Sequence, residues 1–153
     1  GAEYKPRFKL LRERVLAMKA LRTEEEASFE GEMVNFGPSW SYPKPTQKPH
    51  PPVVLGGESI HTLRRVVDFC DGWFPRGGPA FDPMESMARL KAVADEAGRD
   101  MASLSVSVFR APTDKAGLDQ YENAGIDRAI LGLPSADRDT VLKLLDEYAP
   151  LVR

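Results

Sequence analysis

The residues of this 153-residue chain with the clearest chemical capacity are Leu55-Gly56-Gly57-Glu58-Ser59, which end the apolar run Val53-Val54-Leu55 and open a helical pattern. Two successive glycines let the backbone turn sharply and approach a ligand with no Cβ in the way. The helix that follows presents unpaired amides and the positive end of its dipole, so the segment meets the requirements for binding an anion such as a phosphate. Ser59 either adds a hydroxyl donor or caps the helix. Glu58 counts against a dianion unless its side chain turns away, although its amide can still donate. A tight strand-to-helix turn with no ligand uses the same residues, and the sequence alone leaves both readings open.

Other reactive side chains carry less. Arg64 and Arg65 lie about two turns into the helix; the simpler reading is a solvated surface, the sharper one a contact with the ligand's tail. Trp73 and Phe74 end a second apolar segment and are either core residues or ligand-facing ones. His50 lies among prolines and His61 on a helix surface, with no partner at metal-ligand spacing, so no metal site is expected and no catalytic residue is assigned. Glu24-Glu25-Glu26 reads as a solvated helix start. Cys70 is the single cysteine, which rules out an internal disulfide, and its apolar surroundings make it an inert core residue. A Walker lysine and a strand-linked Gly-x-Gly-x-x-Gly are both absent.

Composition narrows the class. With 42% hydrophobic and 29% charged residues and a net charge of -2, the chain reads as a folded protein with no electrostatic basis for binding nucleic acid or an anionic membrane. No apolar run approaches the ~20 residues a bilayer span needs, and Gly1-Ala2-Glu3-Tyr4-Lys5 lacks the apolar core of a signal peptide. A reducing, cytoplasmic setting is expected.

One domain over residues 1–153 is expected, in three parts. Residues 1–22 form an amphipathic helix through Phe8, Leu11, Val15, Met18 and Leu21. Residues 23–52 form a hairpin and a proline-rich connection. Thr23-Glu24-Glu25-Glu26 has the form of a capping box that starts a short turn or merely ends the first helix, and Phe29 to Phe36 alternates loosely about Gly31. The six prolines between 37 and 52 exclude a helix or a central strand. Residues 53–153 form four βα units. Their strands are Val53–Leu55, Asp71–Pro75, Leu104–Phe109 and Ile126–Leu133. Their helices are Ser59–Phe69, with Ile60, Leu63, Val66 and Val67 on one face; Phe81–Ala97, with Met84, Met87, Leu90 and Val93 or Ala94 inward and Gly98 as its C-cap; Leu118–Ala124, stopped by Gly125; and Asp137–Leu151, through Val141, Leu144, Leu145 and Tyr148. The alternation predicts an α/β fold with a parallel sheet, open or curved; a (β/α)8 barrel needs about 250 residues, so the chain supplies half of one.

The run Pro43-Lys-Pro-Thr-Gln-Lys-Pro-His-Pro-Pro-Val-Val-Leu-Gly-Gly57 resembles the bacterial luciferase-like monooxygenase family, especially its deazaflavin-dependent oxidoreductase branch. Arg14-Val-Leu-Ala-Met-Lys19, Phe29-Glu-Gly-Glu32, Asp71-Gly-Trp-Phe74, Ala97-Gly-Arg-Asp100 and Ala124-Gly-Ile-Asp-Arg128 agree with it in order. The resemblance implies strands five to eight of a (β/α)8 TIM barrel, the C-terminal half, and makes Leu55, Gly56, Gly57, Glu58 and Ser59 the loop that holds the phosphate of FMN or of the deazaflavin coenzyme F-420. It also implies that the first four strands, which carry much of the ring pocket, are missing from this chain. The expected function is therefore the phosphate-holding part of a flavin or deazaflavin oxidoreductase. The alternative is a non-catalytic half-barrel associating with itself, as a homo-oligomer, or with another subunit through its uncovered edges.

Overall fold

Pro6 fixes its own φ and has no amide to donate, so the first helix opens behind it: α1 spans Arg7–Thr23 with Pro6 as N-cap. The computed structural model describes residues 4–152, so the N-terminal reading at Gly1-Ala2-Glu3 lies outside the described residues. No capping box forms at Thr23. Its Oγ1 donates back to Lys19 O at 2.9 Å, ending α1, and a strand has already begun at Ala27. Strands β1 (Ala27–Glu30) and β2 (Asn35–Ser39) pair antiparallel about the Gly31 turn, with the Phe29 and Phe36 rings stacked at 6.4 Å. β2 reaches into the proline-rich stretch, where the sequence predicts only a connection. Pro38 is tolerated because this sheet has two strands and each is an edge.

The buried residues of α1 are Glu13, Val15 and Ala17, while Phe8 and Met18 are exposed. Glu13 meets the hairpin turn. Its Oε1 accepts from the amide of Glu32 at 3.2 Å, and its Oε2 from the amides of Met33 at 2.7 Å and Val34 at 2.9 Å. A tight turn leaves such amides without ladder partners, and a carboxylate from the facing helix satisfies all three.

Packing divides the chain into two units, Gly1–Val53 and Val54–Arg153. The second unit runs β3 (Val54–Gly56), α2 (Ile60–Phe69), β4 (Gly72–Phe74), α3 (Pro83–Glu96), β5 (Ser105–Phe109), α4 (Lys115–Asn123), β6 (Arg128–Ile130) and α5 (Arg138–Tyr148). Its strands lie in the order β3-β4-β5-β6 and every pair is parallel. This is the predicted α/β architecture, four of the eight βα units of a (β/α)8 barrel. Boundaries shift where caps decide them. Asp82 accepts from Glu85 N and sets Pro83, not Phe81, as the start of α3; Asp114 accepts from Gly117 N and starts α4 at Lys115 rather than Leu118. Gly98, the expected C-cap, has φ +67.

Leu63, Val66 and Val67 of α2, Leu90, Val93 and Ala94 of α3, Trp73 of β4 and Val106 and Val108 of β5 form the core. Each fully buried Leu or Val contributes roughly 1.5–3 kcal/mol relative to exposure. Ile60 and Met84, expected inward, are exposed, since each lies in its helix's first turn ahead of the residues that reach the sheet. β6 is confined to Arg128–Ile130, shorter than the apolar run Ile126–Leu133 suggests. α5 ends at Tyr148, with a 3-10 turn over Ala149–Leu151, and none of its residues is buried; Leu142 and Leu145 are exposed.

The three amide donors, Met33 foremost, hold the Glu13 carboxyl below its ordinary range, against the opposing effect of burial. A carboxyl depressed in the folded state adds stability that is present above its unfolded pKa and lost as pH falls through the folded one. Hydrogen-exchange protection at Met33 and Val34 is therefore expected to be full at neutral pH and to collapse in acid, and Glu13→Gln should lower it at neutral pH. Protection that is unchanged in that variant would mean the turn does not depend on the carboxylate.

Candidate functional site

Because the four strands are parallel, the loops after β3, β4, β5 and β6 gather at one edge of the sheet, and the Leu55–Ser59 segment is the first of them. Gly57 has φ +111, a conformation that side-chain-bearing residues rarely adopt, and a Cβ there would lie 3.0 Å from Thr62 Oγ1. Ser59 is the N-cap of α2: its Oγ accepts from Thr62 N at 3.2 Å, so of its two expected roles the hydroxyl takes the cap.

The loop is held by its oxygens. Trp73 Nε1 donates to Gly57 O at 2.7 Å, and an Arg89 guanidinium nitrogen donates to Glu58 O at 3.0 Å. The Glu58 carboxylate accepts from Arg76 N at 3.0 Å, at the end of β4. With these oxygens engaged, the amides of Ser59, Ile60 and His61 have no hydrogen-bond partner among the described residues. Free amides at the positive end of a helix, with carbonyls drawn elsewhere, are a donor set suited to an anion. The described residues therefore fit a phosphate, and Glu58 is tethered sideways rather than left over the helix start.

Trp73 resolves to the core, 2% exposed, with its one polar atom spent on the loop. β4 comes close enough to β5 for this only because residue 72 is glycine: a Cβ there would lie 2.5 Å from Ser105 O. Phe74, one residue on, faces the opposite side of the sheet and packs on Phe109, ring centroids 6.1 Å apart, with Phe109 42% exposed. Arg64 meets Glu96 at 4.0 Å on the helix surface and takes no part in the loop. His50 is buried with Nδ1 3.0 Å from Pro51 O, His61 is exposed, and Cys70 is buried. Sequence reasoning missed Arg76 and Arg89. Neither carries a local signal, because both reach the loop from later elements, Arg89 from α3.

A family model described as luciferase-like monooxygenase matches residues 1–145. An uncharacterised protein of Mycobacterium tuberculosis (strain ATCC 25618 / H37Rv) is 34% identical over 144 residues, covering 92% of this chain and 49% of the relative. An FMNH(2)-dependent dimethylsulfone monooxygenase of Pseudomonas putida is 28% identical over 96 residues, covering 61% of this chain and 26% of that protein. Among solved structures, an F420-dependent secondary alcohol dehydrogenase superposes with a TM-score of 0.71 at 15% identity, covering 100% of this chain and 64% of its own. A coenzyme F420-dependent tetrahydromethanopterin reductase from Methanopyrus kandleri also gives 0.71, at 12% identity, over 94% of this chain and 63% of its own. These likenesses show a shared fold. The chain spans about half the length of the curated relatives it matches.

Two substitutions test how the loop is held. Trp73→Phe keeps most of the apolar volume but strands the Gly57 carbonyl, at a cost of roughly 1–3 kcal/mol. Gly57→Ala forces a side chain into the left-handed region, costing about 1–3 kcal/mol. Urea denaturation should show both losses; a Trp73→Phe midpoint equal to that of the parent chain would mean that the indole does not secure the loop.

Proposed function

Since the chain belongs to the luciferase-like monooxygenase family, we propose that Leu55-Gly56-Gly57-Glu58-Ser59 holds the phosphate of a flavin or deazaflavin cofactor, FMN or coenzyme F420. One observation carries this reading: the loop's oxygens are bonded to Trp73, Arg89 and Arg76, while the amides of Ser59, Ile60 and His61 stay unbonded at a helix start. The relatives' own descriptions, one naming FMNH(2) and two naming F420, support the cofactor class. When bound, such a cofactor supplies hydride transfer or oxygen activation at its ring. The chain's residues would bind and orient it: the three amides take phosphate oxygens, Arg89 offsets local negative charge, and the indole keeps the loop rigid. We assign no acid, base or nucleophile to this chain. In this proposal it is the phosphate-holding half of an oxidoreductase whose substrate-facing groups come from the other half.

A second reading, association through the open half-barrel, has its own support. β3 and β6 each have one edge without a strand partner among the described residues. Beside β6 lies a cavity of about 700 Å³ whose lining includes Leu118, Ile126, Ala129, Leu131 and Leu151, and Leu133, Leu142 and Leu145 are exposed nearby in sequence. Unpaired edges with apolar surface favour pairing with a second copy or another subunit. No helix among the described residues is long and apolar enough to cross a membrane.

A ligand that binds only the folded state raises its stability, by ~2.7 kcal/mol at 100 times its Kd. Thermal unfolding with FMN and with F420 should therefore shift upward for one of them. The shift should vanish in Gly56→Val, where even a bare Cβ comes within 3.3 Å of Phe74 O. Absence of a shift with both cofactors would remove the phosphate assignment. Sedimentation tests the second reading independently: a strict monomer that binds no apolar dye excludes it.

A further inference from the structure

Trp73, Val106, Val108 and Ala129 lie on the face of the parallel sheet that packs with α2 and α3. The pleat puts the residues between and beside them, Phe74, Ser107, Phe109, Arg128 and Ile130, on the opposite face. The paired Phe74 and Phe109 rings belong to that face, and Phe109 and Arg128 are exposed on it. Ser107 and Arg128 are partners in parallel register, so their side chains leave the sheet at one level. Ser107 is only 8% exposed, yet its hydroxyl has no hydrogen-bond partner among the described residues, and the Arg128 guanidinium has neither a hydrogen bond nor an ion pair there. Arg128 opens β6, whereas Phe109 and Ile130 end their strands, so this pair lies below the edge that carries the glycine loop. Barrel ligands bind at that edge, and below it the interior is packed by side chains from the surrounding strands. A charge at this level therefore points to a partner in the barrel wall.

A guanidinium enclosed by such a wall needs an anion beside it, because an unpaired buried charge is costly. No residue that β3, β4, β5 or β6 places on this face is Asp or Glu. Asp127, next in the chain, is on the other face and already accepts from Val106 N at 2.7 Å. Two copies joined β6 to β3 about a twofold axis would make eight strands, but each Arg128 would then lie four strands from the other, across the lumen, with no carboxylate to separate them. We propose that this face is built for a non-identical four-strand half that presents a carboxylate to Arg128 and Ser107, and that Arg128 bars closure on a second copy. The inference rests on association through the open half-barrel and narrows it from two partners to one. The curated relatives, about twice this chain in length, have room for such a half.

The test is sedimentation of the full chain, of Arg128→Glu, of Arg128→Leu and of an exposed control, Arg138→Glu, each alone and mixed in equal amounts with the parent chain. Thermal unfolding checks that every variant keeps its fold. The Arg128→Glu chain itself serves as the carboxylate-bearing half. The parent chain should be monomeric while binding apolar dye, and Arg128→Glu alone should be monomeric too. Their mixture should associate at least about tenfold more tightly than either component, the worth of one charged hydrogen-bonded contact, and added salt should weaken it. Arg128→Leu, which removes the charge, should self-associate more tightly than the parent, and Arg138→Glu should behave as the parent does. A mixture no tighter than its components overturns the carboxylate partner. If the parent self-associates as strongly as Arg128→Leu, the charge does not bar a second copy; the inference falls and association through the half-barrel stands. If no sample associates, both fall together.

Discussion

A single hydrogen bond from a buried indole governs the geometry of the sheet's C-terminal edge. Trp73 lies among Leu63, Leu90, Val106 and the rest of the core, where its Nε1 must find an acceptor, and the one it finds is Gly57 O at 2.7 Å. The bond converts core packing into loop position. With that carbonyl drawn toward the core and Glu58 O held by Arg89, the following amides are the groups left at the helix start. Displacing the indole would leave a buried acceptor unpaired, so the loop cannot relax without cost to the core.

The segments that mark the family turn out to be scaffolding more than chemistry. Gly72 in Asp71-Gly-Trp-Phe74 allows β4 and β5 to approach, and Trp73 secures the loop. In Ala97-Gly-Arg-Asp100, Arg99 donates to Val67 O at 2.7 Å at the end of α2, and Asp100 caps the turn that leads into β5 by accepting from Ala102 N. In Ala124-Gly-Ile-Asp-Arg128, Asp127 accepts from Val106 N at 2.7 Å and ties the start of β6 to β5. Phe29-Glu-Gly-Glu32 supplies the turn that Glu13 gathers. Each segment meets a demand of strand approach, helix termination or turn closure, and such demands recur wherever the fold does, whatever the substrate.

The second unit is asymmetric in how well its parts are satisfied. α2 and α3 bury their apolar faces against the sheet, whereas no residue of α5 is buried and β6 has one edge without a strand partner among the described residues, beside a cavity lined in part by Leu118, Ile126 and Leu131. In a sheet with both edges open, the terminal βα unit has packing on one side only. The chain spans about half the length of the curated relatives it matches, and the described residues form four parallel strands where a (β/α)8 barrel has eight.

Much of this was written in local pattern. The βα alternation, the parallel sheet, the hairpin around Gly31 and the glycine turn at Gly56-Gly57 follow from apolar period, glycine and proline, all properties of neighbours in the chain. Tertiary structure alone decided the rest. It exposed Ile60 and Met84, drew Glu13 inward to a turn some twenty residues away, and shortened β6 to Arg128–Ile130. It also chose between two readings of Trp73 and brought the Arg76 amide and the Arg89 guanidinium to Glu58 of the glycine loop. Periodicity reports which face of an element is apolar; it is silent on which distant donor meets which acceptor, because that is fixed only when the strands are laid side by side.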